Sequence, residues 1–409
     1  MRTKSFFTHA PVWSATSGYE DYSHITSGVC QTISRSRWSS LWSSDSRLDE
    51  LLSTTRLSVA NQQSSLGGGQ HSSGTGSTHG SYVRSTGGRH PDGTPRFDQA
   101  VDPGNYLWWY IDGLSDDGLY GFSIIAFVGS VFSPYYAWAN KSKSALADDY
   151  CAINVALYTP TKKYWTMTER GQNAIERTAH QFTVGPSHLR WENGALTIQI
   201  DERVPLLGNK VQGSIKVFPE QLFNQVVELD DLGKHRWGPI APSARVEVNF
   251  TNPSLQWHGN AYFDSNEGDE AISKPFSEWD WSRAHLKDGS TAVIYDVRQK
   301  NGCERIIASK FNPDGTIESF IPPERVLLNK TGWRIDRNMR SEEHDGKSSV
   351  TLLNTFEDTP FYARSMLQSR LLGEEVTSMH ETLNVKRLES NIVQFMLPWR
   401  MPRNPTRFF

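Results

Sequence analysis

The sequence predicts an all-β protein of two β domains, sandwiches or barrels, lying side by side, preceded by a disordered extension. Three observations predict it. Short runs rich in β-branched and aromatic residues recur from Phe97 onward, with turn residues between them. Two of the junctions carry Asn-Gly, the dipeptide best suited to a two-residue hairpin turn. Helical periodicity is scarce, with ERGQNAIERTA and SRLLGEEVTSMHETL as the only candidates. The patterned part is longer than one small barrel requires, which divides it into residues 96–268 and 269–409. The boundary falls near Gly268–Lys274.

Residues 1–95 come first. Ser, Thr, Gly and His dominate, and SSLGGGQHSSGTGSTHGS is low-complexity. Such a stretch buries too little apolar surface to offset its ordering entropy, so it is expected to be disordered, apart from a short helix near Ser46–Thr54. MRTKSFFTHAPVWSATSGYED lacks the continuous apolar core of a secretory signal.

The first domain opens with LWWYIDGLSDDGLYGFSIIAFVG, two strands around a turn at Ser115–Gly118. Tyr120–Asn140 holds no charge over 21 residues, a length that could just span a bilayer as a helix. Its Gly, Ser and Pro content and its β-branched and aromatic residues favour two buried strands with a turn near Gly129–Pro134. CAINVALY, YWTMTE, FTVGP and GSIKVFP follow as strands, and RWENGALTIQID reads as a hairpin. ARVEVNF alternates apolar and polar residues. In the second domain TAVIYDVRQKNGCERIIASKF is another hairpin centred on Asn-Gly.

Composition excludes several classes. The formal net charge of −3 argues against a nucleic-acid binder, which needs a concentrated basic surface. Three cysteines lie far apart without a CxxC pair, so neither a zinc knuckle nor a disulfide scaffold is indicated, and a reducing, cytoplasmic setting fits. The 14 Trp, 14 Tyr and 19 Phe suit strands, apolar pockets and membrane-facing rims.

Several segments carry a specific resemblance. GNYLWWYIDGLSDDGLYGFSIIAFVGSVFSPYYAWA, CAINVALY, WTMTERG, KHRWGPIAPSARVEV, AYFDSNEGDE, FSEWDWSRAHLKDGS, DTPFYARS and RMPR are strung in order between Phe97 and Arg403. Together they resemble the carotenoid 1,2-hydratase (hydroxyneurosporene synthase) family. The resemblance implies two lipocalin-like domains and a lyase that hydrates acyclic carotenes such as lycopene and neurosporene, with no metal or organic cofactor. It further implies a catalytic set of His235, Trp237, Tyr262 and Asp264. Gly238 stands where the family pattern carries a second aromatic, and is expected to widen the pocket.

The chemistry explains why such residue types are wanted. Water does not add to an unactivated trisubstituted alkene without an acid that protonates carbon. Asp264 is the candidate acid; its ordinary pKa near 4 must be raised by burial, for which Tyr262, Phe263 and Trp257 are at hand. Tyr262 and Asp264, two apart on a strand, point to one face. Trp237 and Tyr262 are candidates for stabilising the cation, a contact worth about 2 kcal/mol, or a rate factor of about thirty. His235, two before Trp237, is the candidate base for the incoming water and must be neutral, since a charged imidazole beside Asp264 would lower its pKa. Without the resemblance each has a plainer reading: an Asp at a strand end, a Trp filling a barrel, a hydrogen-bonded His.

Trp257, Trp108 and Tyr362 are expected to touch the substrate. Trp108, Trp109 and Tyr110 are expected to plug or close the first barrel. Trp279 and Trp281 share a face, with Asp280 and Arg283 available for an ion pair. Glu267, Asp269 and Glu270 look at first like a metal cluster but lack the spacing of a calcium loop. Tyr362 and Arg364 are expected at the contact between domains. A carotene is wholly apolar, so the enzyme is expected as a peripheral protein at the inner, photosynthetic membrane, near other enzymes of carotenoid synthesis. FSPYYAWANKSK is a candidate for dipping into that surface while Lys141 and Lys143 meet headgroups. Two rival readings are a carotenoid or lipid carrier, which needs no acid, and a cyclase or isomerase using the same acid.

Overall fold

The longest apolar stretches form the centre of a large antiparallel sheet in the computed structural model, which describes residues 86–344 and 347–404. β1 (Tyr106–Ser115) and β2 (Gly121–Val128) are buried on both faces, as their predominantly apolar composition favours. β3 (Cys151–Tyr158) and β4 (Lys163–Arg170) extend the sheet on one side. On the other lie the short strands β5 (Ile175–Arg177), β6 (Gln181–Val184) and β7 (Ser187–Glu192), then β8 (Ala195–Arg203), β9 (Lys210–Pro219) and the two-residue β10 (Val227–Glu228). Two long strands, β11 (His235–Asn252) and β12 (Ser254–Gly268), complete it. The spatial order is β4-β3-β2-β1-β12-β11-β9-β8-β7-β6-β5. The sheet curls so that β4 reaches β8, where Thr166 Oγ1 donates to the Arg203 carbonyl and Arg170 to Glu202 at 2.8 Å. Its concave face closes on a core of Leu107, Trp109, Ile111, Phe122, Ile198, Ile215, Val246, Trp257 and Phe263.

The second sheet runs β16-β15-β14-β13-β23-β22-β21. Its strands are β13 (Phe276–His285), β14 (Thr291–Gln299), β15 (Glu304–Phe311), β16 (Ile317–Ser319), β21 (Thr351–Asp358), β22 (Tyr362–Leu371) and β23 (Glu374–Asn384). The ribbons β17 (Arg325–Leu328) with β18 (Arg337–Arg340), and β19 (Glu343–His344) with β20 (Lys347–Ser348), stand apart. The last long strand of the first sheet ends at Gly268, and the second sheet begins at Phe276. The final segment breaks that division: β24 (Arg403–Asn404) returns to pair in parallel with β4.

Local chemistry explains where the sequence reading held and where it failed. Asn193 and Gly194 both take positive φ and join β7 to β8, the turn type that Asn-Gly favours. Tyr120–Asn140, expected as two strands, is one strand followed by helix α1 (Pro134–Ser142). Ser133 caps it by accepting from the Tyr136 amide, and Pro134 occupies the first turn, where its missing N–H costs nothing. Both expected helices are wrong. ERGQNAIERTA is the end of β4, a single helical turn and β5. SRLLGEEVTSMHETL is the β22–β23 hairpin, turned by Leu372 and Gly373 at positive φ. The actual helices follow, α2 (Val385–Leu388) and α3 (Asn391–Arg400), capped by Asn384 and Ser390.

The expected extension lies outside the described residues up to position 85, but its last ten residues are folded. Arg89 is fully buried and bridges to Pro95. Its Nη1 donates to the carbonyls of Phe223 and Pro239. Paired backbone polar groups offset a composition too poor in apolar residues to fold alone.

Candidate active site

Strand parity puts the expected residues on two different faces. On β1, Tyr106, Trp108 and Tyr110 point out of the first sheet's core, as do Tyr262, Asp264 and Asn266 on β12. His235 and Trp237 on β11 join them. This convex face is covered by the second sheet, through Phe276, Trp279, Trp281, Val293, Tyr295 and Val297. The site is therefore a seam between two sheets rather than the interior of a barrel.

Asp264 lies in that seam, 3% exposed. Its Oδ2 accepts hydrogen bonds from Trp237 Nε1 and Tyr262 Oη, each at 2.7 Å. Its Oδ1 is buried and has no protein partner. The surroundings are aromatic: the Tyr295 ring is 5.6 Å from Trp237, and Trp281 is 5.2 Å from Tyr262. Burial pushes the Asp264 carboxyl up to about 8; the two donors oppose this, and the negative charges of Glu381 and Asp112 add to it. Burial therefore favours the protonated carboxyl near neutral pH, with Oδ2 engaged by both donors and Oδ1 left unengaged. Once it loses its proton, the two donors bond to an anion, where each is worth more.

His235 is fully buried, but it does not touch Asp264. It sits opposite Gly268 on β12, four positions beyond Asp264, or about 13 Å along the strand. Its Nδ1 is 2.7 Å from Tyr106 Oη, its ring is 4.8 Å from Phe276, and its backbone N–H donates to Asp230. Gly268 is required between them, because a Cβ there would fall 2.7 Å from His235 Nδ1 and 2.4 Å from Tyr106 Cε1. Burial lowers the His235 pKa to about 4, against the pull of Asp230 and Glu270, so the imidazole is neutral. The position differs from the sequence reading, which set this imidazole to act beside the acid.

Trp108 is in the seam, stacked on Tyr106 at 4.9 Å. Tyr362 lines a cleft at one end of the seam. Trp257 is elsewhere: with Phe263 it packs in the first sheet's own core, 5.9 Å from Phe122, on the face opposite Asp264. It neither buries the acid nor reaches the seam. An odd spacing from Asp264 was the signal that separates them. Gly238 also faces inward. A Cβ there would lie 2.5 Å from Arg89 Nη2, so this glycine admits a buried arginine instead of widening a pocket.

Several residues that the sequence reading left out, or placed only in the scaffold, complete the seam. Asp112 forms a buried ion pair with Arg283 across the sheets, with Arg283 Nε at 2.9 Å, and accepts from Tyr110 Oη at 2.9 Å. The expected partner of Arg283, Asp280, lies on the other face of β13 and pairs with Arg298. Arg364 is fully buried, donates to Tyr158, Glu357 and Glu381, and lies 5.8 Å over the Tyr110 ring. Tyr110 in turn is 6.2 Å from Tyr262. Arg364 and Tyr362 line the cleft together with Ile125, Asn154, Trp165, Met167 and residues of α3, so Tyr110 stands between that cleft and the acid. Of these, only Tyr110 has a local signal, its spacing from Trp108.

Glu267 and Asp269 pair with Arg236, and Glu270 with Lys234 and Lys274. Among the described residues no group of three or more His, Cys, Asp or Glu is placed to hold a metal ion.

Comparisons with known proteins bear on these observations. The family model "Carotenoid hydratase CrtC" matches residues 124–409. The acyclic carotenoid 1,2-hydratase of Rubrivivax gelatinosus is 54% identical over 313 residues, 76% of each chain. That of Thiocapsa roseopersicina is 44% identical over 358 residues, 87% of each chain. Among solved structures, a putative AttH from Nitrosomonas europaea is similar with a TM-score of 0.51 at 16% identity, covering 70% of this chain and 98% of that one. That likeness supports an all-β, lipocalin-like fold. With a family model spanning more than half its length and relatives well above 30% identity, the chain belongs to the carotenoid hydratase family, a family of hydro-lyases.

Proposed function

We propose that this protein adds water across the terminal C1=C2 double bond of an acyclic carotene such as lycopene or neurosporene, giving a tertiary alcohol. The observation that carries the reading is the buried Asp264 carboxyl, raised to about 8 and fixed through one oxygen by Trp237 and Tyr262. In this reading Asp264 Oδ1 gives its proton to C2, and positive charge develops at C1. The rings of Trp237, Tyr262, Trp281 and Tyr295 surround the acid and face that charge. Water then attacks C1 and returns a proton to the Asp264 carboxylate, so one group serves as acid and base in turn. His235 lies too far along the strand to share this step. It acts as a positioning residue, holding Tyr106 under Trp108. The whole domain arrangement, residues 96–268 and 269–409, serves to build the acid's seam. The apolar substrate places the enzyme at a membrane surface, as a peripheral protein of the inner membrane.

Expression in a lycopene-producing host tests the reading. The pigment should gain the mass of one water, or of two where both ends react, and Asp264→Asn should leave it unchanged. Pigment retained by the protein without a change of mass would point to a carrier, and a new isomer of unchanged mass to a cyclase or isomerase.

A further inference from the structure

The helix α3 is apolar on both sides, which a helix merely covering a core does not need. Val393 and Leu397 face inward and line the cleft. Ile392, Phe395, Met396 and Trp399, spaced by three and four, are exposed by 75%, 71%, 40% and 63%. Beside it packs α1, whose Trp138 is 42% exposed. The charges carried by the two helices themselves have one sign. No acid occurs between Ser130 and Ala147 or between Ser390 and Asn404, while Lys141 and Lys143 are exposed and Arg400 lies 4.0 Å over Trp165. Five large apolar side chains in contact with water, rimmed by cations, are what an anionic lipid surface complements. The same helix is clamped in place. Past it the chain re-enters the first sheet at β24, where Arg403 bonds Glu169 at 2.6 Å and Asp149 at 3.1 Å.

We propose that α3, with Trp138 of α1, is the face on which this protein sits on an anionic lipid bilayer. The cleft roofed by Val393 and Leu397 then opens at the hydrocarbon, and a polyene passes from lipid to seam without crossing water. This deepens the functional reading, since it rests on an apolar substrate. The docking itself is measurable without any turnover.

The test is flotation of the full chain with vesicles of about three parts phosphatidylcholine to one part phosphatidylglycerol. The variant Ile392→Ser/Phe395→Ser/Trp399→Ser should lower the vesicle partition constant about a hundredfold or more, with an unchanged melting temperature. Lys141→Glu/Lys143→Glu should weaken binding to these vesicles and leave the weaker binding to pure phosphatidylcholine unchanged. Leu206→Ser/Leu207→Ser, which removes equally exposed apolar residues from the β8–β9 loop, should change nothing. Failure of the full chain to float, or equal flotation of the triple variant, overturns the proposal. So does a dimer that the triple variant dissociates, which would make the face a contact between two copies. Hydration lost with flotation intact would instead count against the catalytic reading alone.

Discussion

Replacing Trp237 by Phe removes one hydrogen bond while keeping a ring in place. Trp237 Nε1 donates to Asp264 Oδ2 at 2.7 Å, with both side chains buried. In the resting acid that donor meets a neutral carboxyl; after proton transfer it meets a carboxylate. The bond is therefore stronger in the charged state, and a hydrogen bond to a charged group is worth about 1.5–3 kcal/mol. Its loss should slow protonation by about 10- to 150-fold, at about 1.4 kcal/mol per tenfold. It should also raise the Asp264 pKa, since the form it favoured is the anion, by about one to two units. The wild-type pKa of about 8 means that kcat/KM falls above that pH. The variant should be slower, yet hold its lower rate to a pH one to two units higher. The assay is a pH profile of kcat/KM on detergent-dispersed lycopene. An alkaline limb that stays where it was, or moves to lower pH, would refute the reasoning.

Other consequences follow from the same geometry. Asp264 is protonated when folded, so the stability it contributes is present below its unfolded pKa of about 4 and is lost as pH rises through about 8. Asp264→Asn should abolish hydration and remove this slope, so urea melts should show the variant gaining on the wild type as pH increases. His235 behaves in the opposite sense: with its pKa lowered to about 4, stability is present above about 6.5 and is lost as pH falls toward 4. His235→Gln should flatten that acid limb, and should lower kcat without moving the alkaline limb of the rate profile. Asp112→Asn strands the Arg283 charge between the sheets and should cost about 3–5 kcal/mol in urea unfolding, most of it recovered in Asp112→Leu/Arg283→Met. Gly238→Ala pushes a Cβ to 2.5 Å from Arg89 and should cost about 1–3 kcal/mol of stability with an unchanged KM.

The residues show which parts of this were legible in the sequence. Asn193-Gly194 determines its own turn, so the β7–β8 hairpin can be read from two letters. The two-residue step from Tyr262 to Asp264 places both on one face, and the same rule would have excluded Trp257 and Phe263. The mixed content of Tyr120–Asn140 hid a helix because its cap, Ser133-Pro134, looked like a strand turn. Leu372-Gly373 in a helix-like pattern was overridden by β22–β23 pairing, a tertiary gain that local periodicity does not register. Asp112 with Arg283, or Arg89 against Gly238, joins positions more than a hundred residues apart, and no spacing rule finds such pairs. The separation of His235 from Asp264 depends on the β11–β12 register, which two prolines and the bulges around Pro239 and Ala241 help to set.

The protonation state of Asp264 is the most direct measurement. Infrared spectra of the wild type minus Asp264→Asn should contain a protonated-carboxyl stretch at neutral pH, which disappears with a midpoint near 8. A difference spectrum with no such band at neutral pH, or one that titrates near the ordinary value of about 4, would leave the seam without an acid.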